Sequence, residues 1–263
     1  MQRLVAAVAC PNDWRMDIAP LLPEPSARNV QRDRTRLAYA SLGAAALVSG
    51  VWLAWLVAWI TGWDTLDLGI RPRDVHGLVG ILSAPFVHAS FAHLMSNTLP
   101  LGILALIALY AYPRATRYAL PIIWIGSGLG VWLWARDSVH VGISGIVHGL
   151  MFFVFLLGVF RRDRLGVAIA LLVFFLYGGM VLTVLPRDPD ISFEYHLFGA
   201  ISGLIAAVAF FRLDPLPPRK RYSWDDEEDS LEPFPDEAFL PSPQPPARII
   251  PFPTRDNDKP TLH

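Results

Sequence analysis

A serine flanked by glycines, a histidine ahead of a small-residue helix face, and a histidine and an asparagine four residues apart are the groups here whose types could do chemistry together. They fall in three short clusters: HASFAHLMSN (His88 to Asn97), GISG (Gly142 to Gly145) and EYHLFGAISG (Glu194 to Gly203). Together they supply a hydroxyl nucleophile, an imidazole base and oxyanion donors, which is the set acyl transfer requires. Gly142 and Gly145 beside Ser144 allow close backbone approach and unusual dihedrals. At a helix start, Ser144 also has free backbone N–H groups next to it, able to hold an oxyanion. A plain helix cap is the simpler role for the same serine.

His196 is followed by Gly199 and Gly203, a Gly-x-x-x-Gly spacing that lets two membrane helices approach closely. If that face packs on Ser144, Gly145 and Gly149, the hydroxyl and the imidazole meet. The histidine then acts as base toward the serine and as acid toward the leaving amine. An interfacial histidine bonded to a loop carbonyl is the other reading of His196. His93 and Asn97 share one helical face and both can donate hydrogen bonds. His148, one turn after Ser144, reads as pocket lining, or as a ring that stacks on His196 or holds it in place. His76 and His140 read as solvated loop residues. Ligand type alone allows a metal at His88, His93 and His196. No acidic or cysteine ligand accompanies them and no His-Glu-x-x-His occurs, so no metal is expected.

The elements that must position these groups read as membrane helices. Of 263 residues, 53% are hydrophobic and only 17% charged, against about 25% charged in an ordinary soluble domain. Mean hydropathy is positive. Residues 37 to 63 carry no charge, longer than the roughly 20 residues a crossing helix needs. Further uncharged spans are expected from about Phe91 to Pro113, then Tyr118 to Ala135, Ser138 to Phe160, Leu165 to Pro186 and Tyr195 to Phe211. The segment Thr65 to Ala92 reads as a partly embedded interfacial loop, because bare backbone cannot face lipid.

Arginine placement gives the orientation. The arm before the first span, the loops holding Arg114 and Arg117 and then Arg161, Arg162 and Arg164, and the stretch from Arg212 to Arg221 are basic; the opposite loops are mixed or acidic. Six crossings with both termini cytoplasmic fit this alternation. All three clusters then fall at one depth, toward the outer face. A net charge of −1 with two lysines calls for no nucleic-acid partner, and the sole cysteine, Cys10, rules out an intramolecular disulfide.

Three regions follow: a cytoplasmic arm over 1–36, a six-helix membrane domain over 37–212, and a tail over 213–263. The tail holds twelve of the 23 prolines and the acidic run Asp225 to Asp229, the composition of disordered chain. Its Trp224, Phe234, Phe239, Ile249 and Ile250 fit either plain solvated chain, the simpler reading, or a short docking motif for a cytoplasmic partner.

Over about residues 37 to 212 the chain resembles the rhomboid family of intramembrane serine proteases. HASFAHLMSN matches the family's H-x-x-x-x-H-x-x-x-N, GISG its G-x-S-G, and HLFGAISG its H-x-x-G-x-x-x-G, in the same order and on corresponding spans. LGIRPRDVHGLVGILSAPFVHAS is similar to the first external loop of bacterial members. The resemblance implies an all-α, six-transmembrane-helix bundle in a bacterial inner membrane. It cleaves single-span membrane substrates near the outer face with no metal or cofactor. Ser144 would be the nucleophile and His196 the base. His93, Asn97 and the Ser144 N–H would hold the oxyanion, with His88, Gly142, Gly145, His148, Gly199 and Gly203 in support. His148 departs from the aromatic residue that many members stack on the catalytic histidine. A rhomboid-like pseudoprotease that binds transmembrane clients without cutting them is the alternative. A histidine-based transporter fits less well, since the spans lack acidic residues.

Overall fold

A computed structural model describes residues 27–186 and 191–214. Cys10, the acidic loop residues 187–190, the tail from residue 215 and its aromatic positions lie outside the described residues. Within them the chain is all-α, with an isolated antiparallel bridge between Ile70 and His140.

The helices, in chain order, are α1 (Ala27–Thr61), a one-turn α2 (Gly80–Ser83), α3 (Phe91–Ala111), α4 (Pro113–Trp134), α5 (Ser144–Arg161), α6 (Arg164–Tyr177) and α7 (Phe193–Phe210). Five segments are long and apolar enough to cross a membrane: α1, α3, α5, α7, and α6 with the 3₁₀ turns that prolong it to Val184. The protein is thus a multi-pass membrane bundle. Its outward side chains are large and apolar, Trp59 at 69% and Phe175 at 80% exposure among them, a surface suited to lipid.

Several boundaries differ from those expected. α1 begins at Ala27 and takes in Arg28, Arg32, Arg34 and Arg36 as a polar, largely exposed extension. α4 starts at Pro113 rather than Tyr118, because Asp214 caps it: the Asp214 carboxylate accepts from the N–H groups of Arg114 (3.1 Å) and Ala115 (2.9 Å). A carboxylate there meets two of the unpaired N–H groups of a helix start and the positive end of its dipole. α5 starts at Ser144, not Ser138, since the preceding residues are drawn into the Ile70–His140 bridge. α6 ends at Tyr177, where Gly178 and Gly179 weaken the helix and 3₁₀ geometry takes over as far as Val184.

The loop between α1 and α3 folds as short helical turns with paired backbone. Indole N–H groups of α4 do much of the pairing: Trp124 donates to the Ile81 carbonyl (3.1 Å) and Trp132 to that of Asp74 (2.8 Å). Arg73 returns a bond to the Ala135 carbonyl (2.7 Å).

α5 is the central helix, with twelve of its 18 residues buried. It meets α7 along a seam of glycines. A Cβ on Gly199 would collide with the carbonyl oxygen of Gly145, and one on Gly203 with that of Gly149. Only hydrogen fits at these positions, so the two backbones touch directly. Gly203→Ala is therefore expected to destabilise the bundle by about 1–3 kcal/mol through overpacking. Gly102→Ala in α3, where the nearest atom, on Val48, lies at an ordinary 3.6 Å, should be neutral or gain up to about 1 kcal/mol in helix propensity. Thermal unfolding of both variants in detergent checks the contrast.

Candidate active site

The N-terminal ends of α3, α5 and α7 carry the three polar clusters, and the fold brings them to one end of the bundle. Ser144 is the first residue of α5 and is buried, at 6% exposure. It is not the cap: Ile143 holds that place and makes no side-chain capping bond. The N–H groups of the first α5 turn therefore have no capping side chain. Gly142 has φ +105°, a backbone state that favours glycine. A Cβ there would lie 2.7 Å from the His93 ring, so glycine also admits that imidazole to the serine loop.

On α3, Ser90 caps the helix by accepting from the His93 N–H at 3.1 Å. Asn97 donates one side-chain N–H to the His93 carbonyl at 2.9 Å, leaving its second N–H for another acceptor. Asn97 and Ile143 line the same small void between α1, α3 and the start of α5, one residue from Ser144. His88 packs the edge of its ring on His93, with centroids 5.1 Å apart.

His196 lies in the first turn of α7 and is buried. Its ring is stacked on that of His148, centroids 3.8 Å apart and planes inclined by 11°. Nδ1 of His196 lies 3.0 Å from the Thr183 carbonyl oxygen. A carbonyl only accepts, so Nδ1 carries the proton and a neutral ring leaves the Nε2 lone pair free. Nδ1 of His148 donates to the Ser144 carbonyl at 2.7 Å, and Nε2 of His148 lies 2.8 Å from the Thr183 hydroxyl. His148 thus joins the serine helix to the histidine helix. Among the described residues, the Ser144 hydroxyl itself makes no hydrogen bond. Gly145 faces the Tyr195 ring and Gly199 faces Gly145, which brings the residue after Ser144 against the residue before His196.

Three features escaped sequence reasoning. His140 is not solvated: it is buried, with Nδ1 2.6 Å from the Ser192 hydroxyl and Nε2 3.1 Å from the Arg136 carbonyl. Burial holds its pKa below the ordinary imidazole range. His76 is exposed, as expected. Glu194 is buried beside His196 in sequence but pairs with Arg136, at 3.5 Å from its Nε. Thr183 reaches both stacked rings, and nothing in the apolar run GGMVLTV marks it.

His88, in the loop before α3, is buried with neither ring nitrogen in a hydrogen bond. Burial, and then the neighbouring His93, push its pKa down to about 4. In the unfolded chain it would titrate near 6.5. Between these values the unfolded state binds a proton that the folded state refuses, so stability falls as pH drops from about 6.5 to about 4. The loss from this group is expected to reach about 3 kcal/mol. His88→Phe should flatten that part of the stability curve; unfolding of both proteins in detergent at pH 7, 5.5 and 4.5 measures it.

The rhomboid domain model matches residues 75–213, a little over half of the chain. An uncharacterized protein of Mycobacterium tuberculosis and one of Mycobacterium bovis are each 36% identical to this chain over 178 residues, 63% of this chain and 74% of theirs. An uncharacterized protein of Mycobacterium leprae is 35% identical over 166 residues, 60% of this chain and 66% of its own length. No solved structure matches the chain. The domain match, the mycobacterial relatives and the glycine-packed bundle with its three polar clusters make this chain a member of the rhomboid family.

Proposed function

We propose that the protein is an intramembrane serine endopeptidase working through a Ser144–His196 dyad. The observation that carries this reading is the state of His196. Its Nδ1 proton is committed to the Thr183 carbonyl, so Nε2 is the free base on a helix in backbone contact with the serine helix. Ser144 Oγ attacks the scissile carbonyl carbon while its proton passes to Nε2. The Ser144 N–H, His93 and the spare Asn97 N–H stabilise the oxyanion. The intermediate collapses as the Nε2 proton moves to the leaving amine. Water, deprotonated by the same nitrogen, then frees the acyl group and restores the serine. No carboxylate takes part; the Thr183 carbonyl takes over its orienting role.

In this reading α4 is the sixth crossing. Its 22 residues are long enough, and its two arginines, Arg114 and Arg117, lie near its start and leave Tyr118 to Trp134 uncharged. In this reading both termini lie in the cytoplasm of a bacterial cell and the site opens to the outer face, an orientation the arginine placement supports. Substrates are single-span membrane proteins whose helix unwinds at the cut, because peptide bonds inside a helix are shielded.

The bare Ser144 hydroxyl favours a second reading, a member that holds transmembrane clients without cutting them. Catalytic hydrogen bonds in empty sites are often loose and tighten with substrate bound, so labelling by a fluorophosphonate separates the two: only an activated serine reacts.

With a single-span substrate co-expressed in membranes, Ser144→Ala is expected to abolish cleavage. Full-rate cleavage by that variant would overturn the dyad. Asn97→Ala and His93→Ala should each lower kcat by about 10²–10³-fold, the effect of removing one oxyanion donor, with substrate binding largely retained.

A further inference from the structure

Thr183 touches both stacked imidazoles from a segment that supplies none of the reacting groups. Its carbonyl oxygen is 3.0 Å from Nδ1 of His196, and its hydroxyl is 2.8 Å from Nε2 of His148. We infer that Thr183 is a positioning residue for the His196 base, acting on it directly through the main chain and indirectly through the ring of His148. The inference rests on the dyad reading above.

Proton counting gives the direction of each bond. The Ser144 carbonyl can only accept, so Nδ1 of His148 carries a proton. A neutral His148 ring then presents a lone pair at Nε2, and the Thr183 hydroxyl donates to it. Bonded at both nitrogens, the His148 ring cannot turn about its own axis. It becomes a fixed plate under His196, which lies nearly parallel to it. The hydroxyl has a single proton, and the Met180 carbonyl, 2.8 Å away and three residues back in the same 3₁₀ segment, shares it with Nε2 of His148 as the second acceptor of a three-centre bond. The side chain thereby ties the segment's register to His148, and that register aims the carbonyl at His196. Without the hydroxyl, His148 loses one of its two tethers and His196 its fixed tautomer.

The test uses the full chain in detergent, with fluorophosphonate labelling of Ser144 as the rate and ¹⁵N spectra of the imidazoles as the signature. Thr183→Val, which keeps the shape and removes the hydroxyl, is expected to slow labelling about tenfold, the scale of one lost buried hydrogen bond. Thr183→Ser should stay within about threefold of the native rate. His148→Phe keeps a ring but takes away the hydroxyl's partner. In that background Thr183→Val should cost no more than about twofold, because coupled residues are non-additive. The native spectrum should show His196 protonated at Nδ1 alone, and Thr183→Val should show mixed tautomers.

Native-rate labelling by Thr183→Val, or equal slowing in both backgrounds, would refute the inference while leaving the dyad intact. If the native chain is not labelled at all, the dyad reading fails. The spectra then decide the clamp separately: His196 protonated at Nε2 ends it.

Discussion

Direct backbone contact between α5 and α7 is the constraint from which the rest of the site follows. Hydrogen is the only side chain that fits at Gly199 and Gly203, because the carbonyls of Gly145 and Gly149 occupy the space a Cβ would need. In lipid, no hydrophobic force presses helices together, so close packing of this kind must do that work. The seam runs one turn beyond both Ser144 and His196. It therefore holds together, through main-chain atoms, the two helices that carry these residues. Tyr195 completes the arrangement by filling the space against Gly145.

Polar groups in such a bundle have no water to fall back on. The molecule answers with short chains of bonds between elements distant in sequence. His140 joins the loop before α5 to Ser192 at the start of α7, and Glu194 in the first turn of that helix holds Arg136. His148 spans from the Ser144 carbonyl to Thr183. These links gather at the end of the bundle that carries the three clusters, where the helix starts would otherwise leave N–H groups unpaired. His88 is the exception among the histidines, buried with bare nitrogens and so held neutral.

Much of this was legible in the residues. The long uncharged runs set the helices, since a span needs a minimum apolar length whatever its partners. The glycine and histidine spacings placed the clusters on helix starts, because a period of 3.6 residues decides which side chains share a face. What stayed hidden depends on contacts that no local pattern encodes. His140 read as a solvated residue until its partner 52 positions away was in place. Thr183 sits in a plain apolar stretch, and its importance comes from two rings on other helices. The ends of α4 and α6 shifted for equally specific reasons, one a carboxylate arriving from beyond α7 and the other a pair of adjacent glycines.

That carboxylate has a practical bearing on where the folded unit can be cut. The stretch shared with the family stops at residue 213, and Asp214 is the very next position. It closes the start of α4 from about a hundred residues away. A shortened version trimmed to the family boundary would keep all three polar clusters and still lose the clasp that joins its last helix to the turn between α3 and α4.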